Sequence, residues 1–341
     1  MSSDLPETVF ILPDILAEWP WKRVINPYSS PQMRAESMEW IRSFVSTPQM
    51  NRQFCLGDFC LLCFLAYPLE DKDVLRVACD FVNWMFLLDE LSDFATPREA
   101  QKMGAIILDT VYNPDKTRPK DECVLGEALR QVWKVISKLS SVAARGRLIK
   151  SLEDCATAVV QQAQDRALDY IRDIDEYLPV RRETSGANLG FRIMEFSLNL
   201  PDGFFEDPVI RKLNNTCIDL ITLSNDLYSY NVEQARGDKG HNIVTILMQH
   251  EHFTLNEAIT WLGTHASKLV HSFLNDLSHV PHFGPEYQAD VERYLNGMGN
   301  WVRASDCWSF ESGRYFGTEG LEIHKSRKVI LLPQQRLVPY K

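Results

Sequence analysis

Several patterns are missing from the sequence, and each absence narrows the possible functions. No apolar stretch approaches the roughly 20 residues of a membrane-spanning helix, and the start, MSSDLPETVF, lacks the basic and apolar parts of a signal peptide. We therefore expect no membrane segment and a cytoplasmic location. Acidic residues outnumber lysines and arginines by 46 to 36, a formal charge of −10 that argues against a nucleic-acid-binding surface.

Zinc-binding spacings and domain linkers are missing too. Cys60 and Cys63 have the spacing of half a zinc site, but no second pair follows, so we expect the eight cysteines to be mostly buried, reduced thiols. No linker, low-complexity run or internal repeat divides the chain. At 341 residues and 45% hydrophobic, it can bury a large core. We predict one domain over residues 1–341, with residues 1–30 and 318–341 less ordered.

Helical periodicity dominates what is present. Signals for helix starts are Ser30-Pro31, Thr47-Pro48, Thr96-Pro97, Asp207-Pro208 and a capping box from Thr254 to Glu257. Amphipathic runs predict helices at about 34–45, 51–66, 73–94, 97–111, 121–138, 142–176, 187–199, 208–236, 254–278 and 285–307. No series of alternating strands with tight turns appears. The sequence predicts an all-α fold, with residues 325–341 either extended or loosely packed.

Two short polar clusters carry the chemistry. They are DELSD, which starts at Asp89, and NDLYSYNVE, which starts at Asn225. Residues four apart share a helix face, so Asp89 and Asp93 point the same way, and Asn225, Ser229 and Glu233 form a stripe. Oxygen donors without sulfur or imidazole suit Mg²⁺, which usually completes its shell with water and substrate phosphate oxygens. Together the clusters predict activation of a phosphorylated substrate.

The two clusters differ in specificity. The Asn, Ser/Thr and Glu spacing of the second is expected only on the order of 0.1 times by composition. The first alone also fits a solvated helix face. Its surroundings argue against that interpretation, because the preceding residues 81–88, FVNWMFLL, are apolar nearly all round and predict a buried helix. Carboxylates at the end of a buried helix need compensation, which a metal can supply.

A phosphate group bound to metal also needs cationic donors. The segment from Arg181 to Gly186 falls between two predicted helices, and Gly186 could break the backbone there. Arg314 and Tyr315 offer a guanidinium and a phenol side by side. Taken alone, each pattern also fits a surface ion pair or a packed tyrosine.

The order of these motifs resembles a known family. An aspartate-rich motif at Asp89, an arginine at Arg182, an Asn-Asp-x-x-Ser-x-x-x-Glu motif at Asn225 and the pair Arg314-Tyr315 are together similar to the class I terpene cyclases. The phrases ILAEWPWKRVINPY and NDLYSYNVEQARGD most resemble fungal, basidiomycete-type sesquiterpene synthases, including the protoilludene synthase group. The resemblance implies a single-domain helical bundle around a central apolar cavity.

The resemblance also implies three Mg²⁺ ions that hold the diphosphate of a prenyl substrate. Asp89 would bridge two of the ions, whereas Asn225, Ser229 and Glu233 would bind the third. Glu90 and Asp93 would order the surrounding loop without binding an ion directly.

Further roles follow for the diphosphate donors. Arg182 would sense the diphosphate, Ser185 and Gly186 would couple it to the helix break, and Arg314 and Tyr315 would donate to it as the site closes. One position departs from the family pattern, since Val232 stands where many relatives carry Lys or Arg. The missing contact is either absent or supplied by Arg236 or Lys239.

Ionisation of such a substrate requires an apolar, aromatic pocket that excludes water. The residues expected to line it are Val82, Met85, Phe86 and Trp308, with Phe59, Phe64 and Phe81 as further candidates. Ordinary core packing is the alternative for each of them. Asn83 interrupts this apolar stretch, and we expect it to hydrogen-bond a neighbouring helix.

The sequence leaves alternatives open. The favoured interpretation is a sesquiterpene synthase that ionises farnesyl diphosphate, with 1,11-closure to protoilludene as first choice; an acyclic alcohol, nerolidol or linalool, follows if water reaches the cation. A trans-prenyltransferase shares the frame but carries a second aspartate-rich motif where this chain has the Asn225 motif. A noncatalytic helical interaction protein is the remaining class. For the oligomeric state we expect a monomer or weak homodimer.

Overall fold

Helices make up most of the computed structural model, which describes residues 9–237 and 240–334. The helices are α1 (Pro31–Arg42), α2 (Pro48–Gly57), α3 (Phe59–Ala66), α4 (Lys72–Ser92), α5 (Pro97–Tyr112), α6 (Leu125–Leu139), α7 (Val142–Ala167), α8 (Ile174–Thr184), α9 (Ala187–Met194), α10 (Pro208–Arg236), α11 (Ile243–His250), α12 (Leu255–Leu277), α13 (Gln288–Glu311) and α14 (Gly320–Ser326). Strands β1 (Val9–Ile11) and β2 (Lys328–Ile330) form one short antiparallel pair. The predicted all-α fold class is confirmed.

Side-chain caps explain where several helices begin. The Thr96 hydroxyl oxygen accepts a hydrogen bond from the Glu99 backbone N–H, and the Glu99 carboxylate accepts one from the Thr96 backbone N–H. Thr254 and Glu257 form the same reciprocal pair at α12. Each cap of this kind stabilises a helix by about 1 kcal/mol. The other predicted starts also carry capping side chains, namely Ser30, Thr47 and Asp207, each followed by proline. The predicted start signals are therefore confirmed.

Other helix boundaries differ from the prediction. The expected run 51–66 is divided into α2 and α3, because Asp58 adopts a left-handed conformation (φ 40°) and caps α3 with its own side chain. The expected run 142–176 ends at Ala167, and α8 then contains Arg181 and Arg182, which the prediction placed between helices. The periodicity of apolar residues does not reveal such breaks, because a single capping side chain such as Asp58 is enough to start a new helix.

The buried helices α4 and α10 carry the two polar clusters. As predicted, α4 is buried over most of its length, including Trp84, whose indole donates to the Leu125 carbonyl. Met85 and Phe86 are only half-buried. Helix α10 packs against α12 and α13, and α13 packs against α3, which in turn contacts α4. Helices α3 and α13 thus connect α4 to α10 through the core.

The described parts of both terminal segments pack on the helical body. Trp19 is buried beside Phe273 and donates to the Gly299 carbonyl, and the amide of Asn231 on α10 donates to the Ile330 carbonyl of β2. The extended option for the C-terminal stretch therefore holds for residues 328–330. The remainder of the prediction on residues 1–30 and 318–341 concerns residues 1–8 and 335–341, which lie outside the described residues.

The cysteines and the lengths of the apolar helices are the subject of two further expectations. All eight cysteines are free thiols, and five of them are buried, which confirms the prediction of mostly buried, reduced thiols. Over residues 9–237 and 240–334, no helix combines the length and the apolar character that crossing a bilayer requires.

Candidate active site

The acidic end of α4 faces an arginine from the segment after α13. Arg314 Nη2 lies 3.4 Å from Asp89 Oδ2, and its Nη1 lies 3.5 Å from Glu90 Oε1. The Asp89 side chain is 46% exposed, whereas that of Glu90 is only 16% exposed. Burial raises the pKa of Glu90, and the charge of Arg314 counters part of this rise. Asp89 is therefore the better placed of the two acids to meet an ion from solvent.

An arginine that the sequence did not single out fixes the end of α4. Arg166 Nη2 on α7 donates to the Ser92 carbonyl at 2.7 Å and approaches the Ala95 carbonyl at 3.4 Å. The last carbonyls of a helix have no partner within the helix, so this contact satisfies them and orders the turn that follows Asp89. Asp93, predicted to order this loop, is the C-cap residue of α4.

Aromatic rings surround the Arg314 guanidinium. Phe59 and Phe86 stack with their ring centroids 3.6 Å apart, and the guanidinium carbon lies 4.9 Å from Phe86 and 5.4 Å from Phe59. Trp308 lies 5.9 Å from each of these rings. The structure thus brings Phe86, Phe59 and Trp308 together, beside the arginine that contacts Asp89. Their π faces are suited to a nearby positive charge.

Other predicted pocket residues lie elsewhere or deeper. Phe81 stacks on Trp84, and Phe64 lies beneath the Arg34 guanidinium, so both are placed in core packing and not in the Phe86 cluster. Val82 is fully buried. Asn83 Nδ2 donates to Ser37 Oγ on α1 at 3.0 Å, which confirms the predicted bond to a neighbouring helix.

The amide of Asn225 on α10 is bound at both ends. Its Nδ2 donates to the Tyr315 hydroxyl at 2.7 Å, and its Oδ1 accepts from Arg181 Nη2 at 2.6 Å. Because Tyr315 follows Arg314 in the chain, one short segment contacts both Asp89 and Asn225. The two polar clusters are therefore linked to each other through Arg314 and Tyr315.

Asp226, the neighbour of Asn225, is occupied by protein partners. It accepts hydrogen bonds from the Tyr177 hydroxyl at 2.6 Å, from Arg181 Nη2 at 2.9 Å and from the Ile243 backbone at 3.0 Å. The side chain is only 1% exposed. Asp226 thus joins α8, α10 and α11 and has little capacity left for an ion.

The rest of the second cluster approaches one further amide. Asn242, the N-cap residue of α11, donates to Glu233 Oε2 at 2.9 Å and to the Asp226 carbonyl at 2.7 Å, and it lies 3.5 Å from Ser229 Oγ. Ser229 and Glu233 consequently share the face of α10 that the four-residue spacing predicted. Asn242 was missed because nothing in the local sequence marks it beyond its capping position.

The segment around Arg182 differs from the expectation in one respect. Arg182 forms two hydrogen bonds with Asp219, at 2.7 and 2.8 Å, and it is the neighbouring Arg181 that reaches Asn225. Tyr177 and Arg181 are four residues apart on α8 and both bind Asp226, so the periodicity of α8 could have identified Arg181 had the helix been predicted.

The backbone breaks at Gly186 as predicted. Gly186 has φ +73°, and a Cβ atom there would lie 2.6 Å from Met85 Cε on α4. Ser185 Oγ donates to the Arg182 carbonyl at 3.0 Å and so closes the end of α8. The helix break at Gly186 therefore lies against Met85, the half-buried neighbour of Phe86 in the sequence.

The oxygen donors of the site suit a hard cation. Asp89 on one helix and Asn225, Ser229 and Glu233 on another offer carboxylate, amide and hydroxyl oxygens, without sulfur or imidazole. Within residues 9–237 and 240–334, no three His, Cys, Asp or Glu side chains form a metal-binding cluster on their own. Amide, hydroxyl and substrate oxygens would have to complete the shell.

The basic residues considered as substitutes for Val232 can be located only in part. Arg236 ends α10, and its charge acts on Glu90 in the direction of a lower pKa. Lys239 lies outside the described residues.

Comparison with known proteins extends these observations. A family model described as terpene synthase family 2, C-terminal metal binding, matches residues 80–272. The chain is 42% identical to a Delta(6)-protoilludene synthase of Stereum hirsutum over 97% of this chain and 90% of that protein. It is also 42% identical to a Delta(6)-protoilludene synthase of Armillaria gallica (95% and 94% covered) and 40% identical to sesquiterpene synthase 14 of Postia placenta (99% and 96% covered).

Solved structures with the same fold include more distant proteins. The linalool/nerolidol synthase of Streptomyces clavuligerus superposes with a TM-score of 0.74 at 21% identity, covering 85% of this chain and 98% of that one. A cucumene synthase variant superposes with a TM-score of 0.76 at 21% identity, covering 86% and 99%. At such identities the agreement concerns the helical fold alone.

Proposed function

We propose that this chain, which belongs to the terpene synthase family and is therefore a lyase, ionises farnesyl diphosphate with the help of Mg²⁺. The family model is described as metal-binding, and a metal cofactor agrees with the oxygen donors of the site. The observation that carries the proposal is that adjacent residues, Arg314 and Tyr315, contact Asp89 and Asn225 respectively. One two-residue segment thus contacts a proposed ligand from each of the two ion-binding clusters.

We propose three Mg²⁺ ions, for which Asp89 on α4 and Asn225, Ser229 and Glu233 on α10 would supply the protein ligands. Bound divalent ions would neutralise the charge that accumulates on the departing diphosphate. Glu90 and Asp93 would order the end of α4, where Glu90 already contacts Arg314 and Asp93 caps the helix.

Cationic donors complete this environment. Arg314 and Tyr315 would donate to diphosphate oxygens. Burial lowers the pKa of Arg314, but Tyr315 and the α4 acids together raise it by more, so the guanidinium stays charged. Nε and Nη2 of Arg182 both donate to Asp219, so Arg182 would serve as the diphosphate sensor through Nη1 or after these bonds open. Donors held in place, as Arg314 is by the α4 acids, stabilise charge that develops in the transition state.

The prenyl chain would lie against the apolar residues beside these donors. The residues that we propose to line the pocket are Val82, Met85, Phe86, Ser185, Gly186 and Trp308. Their exclusion of water would protect the carbocation, and the Phe86 ring would stabilise its charge. The 1,11-closure to protoilludene is our preferred reaction, supported by the names of relatives at about 40% identity over most of the chain.

The test is to incubate the purified chain with geranyl, farnesyl and geranylgeranyl diphosphates and Mg²⁺, and to analyse diphosphate release and volatile products. We expect farnesyl diphosphate to give a cyclic sesquiterpene. An acyclic alcohol as main product would contradict the cyclisation, and chain elongation after addition of isopentenyl diphosphate would indicate a prenyltransferase. Absence of diphosphate release from all three substrates would contradict the proposal as a whole.

Two expectations from the sequence stay predictions. They are the cytoplasmic location and the monomeric or weakly dimeric state.

A further inference from the structure

Arg181 contacts Asn225, a proposed metal ligand, but the proposed reaction gives Arg181 itself no role. Its Nη2 donates to Asn225 Oδ1 at 2.6 Å, while the Tyr315 hydroxyl accepts from Asn225 Nδ2 at 2.7 Å. The two ends of an amide differ, because the oxygen can bind a cation and the NH₂ group cannot. A half-turn of the side chain would exchange them. Arg181 and Tyr315 therefore determine the directions in which Oδ1 and Nδ2 of Asn225 point.

Arg181 is itself held firmly. Its Nε and Nη2 both bond to Asp226 Oδ1, at 3.1 and 2.9 Å, and Asp226 is fixed in turn by Tyr177 and the Ile243 backbone. The Arg181 side chain is only 12% exposed. The two bonds to Asp226 thus fix the place of the guanidinium beside Asn225.

We propose that Arg181 is a positioning residue that keeps Asn225 Oδ1, and not Nδ2, turned toward the metal-binding face. The inference rests on the proposed function, in which Asn225 binds an ion. A carbonyl oxygen has two lone pairs, so Oδ1 can accept from Arg181 and still bind a cation with the second. The planar fork of arginine reaches Asp226 and Asn225 together, which a single ammonium group does less well.

The test compares Arg181→Lys and Arg181→Met in two backgrounds, the natural chain and Asn225→Asp. A carboxylate has two equivalent oxygens, so Asp at position 225 needs no orientation. The first measurement is the rise in Tm when Mg²⁺ and inorganic pyrophosphate are added together, relative to pyrophosphate alone. The second is the Mg²⁺ concentration that gives half-maximal diphosphate release, measured beside KM for farnesyl diphosphate.

A matched control is Arg172→Met. Arg172 forms a similar paired contact with Asp165, at 2.6 and 3.0 Å, with side chains 16% and 14% exposed, but it touches neither Asn225 nor Asp226. Arg181→Met removes both the contact with Asn225 and the buried charge opposite Asp226, so it can fold poorly. Arg181→Lys keeps that charge and therefore tests the orientation of the Asn225 amide without loss of the buried ion pair.

In the natural background we expect Arg181→Lys to reduce the ligand-induced rise in Tm and to raise the half-saturating Mg²⁺ concentration about tenfold, as for loss of one strong hydrogen bond. KM for farnesyl diphosphate at saturating Mg²⁺ should change little. With Asn225→Asp, the same substitution should change the Mg²⁺ requirement less than about threefold.

Equal effects of Arg181→Lys in both backgrounds would overturn the proposal, as would an equal loss in Arg172→Met. So would a natural chain whose Tm does not respond to Mg²⁺ and pyrophosphate. A natural chain that releases no diphosphate would contradict the proposed function instead, and the Tm measurements would still decide the role of Arg181.

Discussion

The hydroxyl of Tyr315 accepts a hydrogen bond from Asn225 Nδ2 across 2.7 Å and thereby joins the segment after α13 to the middle of α10. Arg314, one residue earlier, lies 3.4 Å from Asp89 at the end of α4. Two regions more than a hundred residues apart in sequence are thus linked by two consecutive side chains.

Loss of either proposed ligand should stop the reaction without unfolding the protein. We expect Asp89→Ala and Asn225→Ala to lower diphosphate release from farnesyl diphosphate by at least about 10³-fold, because transition-state charge would be left unstabilised. Circular dichroism should show unchanged helix content. Asp115→Ala, in an exposed loop, is the control and should retain activity. Substantial turnover by Asp89→Ala/Asn225→Ala would rule out these ligands.

Removal of metal should have the same consequence reversibly. After dialysis against EDTA, we expect no measurable diphosphate release and a full recovery when excess Mg²⁺ is added. Helix content should be unaffected, because the buried core contains the apolar residues of α4, α10 and α13 and does not depend on the proposed ligands. Turnover that persists in EDTA would contradict a metal-dependent ionisation.

Alanine substitutions at Gly186 and Gly203 can distinguish the effect of backbone strain from the effect of a new contact with the pocket. Gly186 and Gly203 have φ values of +73° and +79°, so alanine at either position should cost about 1 kcal/mol of unfolding free energy through strain. A Cβ atom at Gly186 would also lie 2.6 Å from Met85 Cε, whereas one at Gly203 would meet no atom within 4 Å. We therefore expect Gly186→Ala alone to change kcat or the product ratio. Similar product profiles for both variants would contradict a pocket role for Gly186.

His241 should make folding stability fall below neutral pH. Its ring contacts Tyr177 and lies 3.1 Å from Thr184 Oγ1; burial and the charges of Arg181, Arg166 and Arg172 hold its pKa well below 6.5. The unfolded chain therefore binds a proton more readily, so the stabilisation is complete above pH 6.5 and declines as the pH falls toward the folded pKa.

Urea unfolding at pH 7.5 and pH 5.5 measures this effect. We expect His241→Gln to lose less unfolding free energy between these conditions than the natural chain loses. His279→Gln, at an exposed position, is the control and should follow the natural chain. An identical loss in all three proteins would show that other groups dominate the pH dependence.

The clearest difference between sequence and structure concerns neighbouring arginines. The motif pointed to Arg182, but Arg182 pairs with Asp219, and Arg181 contacts Asn225. Which of two adjacent residues faces the site depends on the rotation of α8 about its axis. That rotation is set by packing and by the bonds of Tyr177 and Arg181 to Asp226, which sequence spacing does not contain.

The sequence by itself determined the helical class, the capped helix starts and the composition of the two polar clusters, because these depend on local periodicity and on short-range hydrogen bonds. Only the tertiary structure decided that Arg314 and Tyr315 link Asp89 to Asn225, that Asp226 is occupied by Tyr177 and Arg181, and that Phe81 stacks on Trp84 and not on Phe86. These relationships join residues distant along the chain, and they are fixed by how whole helices pack together.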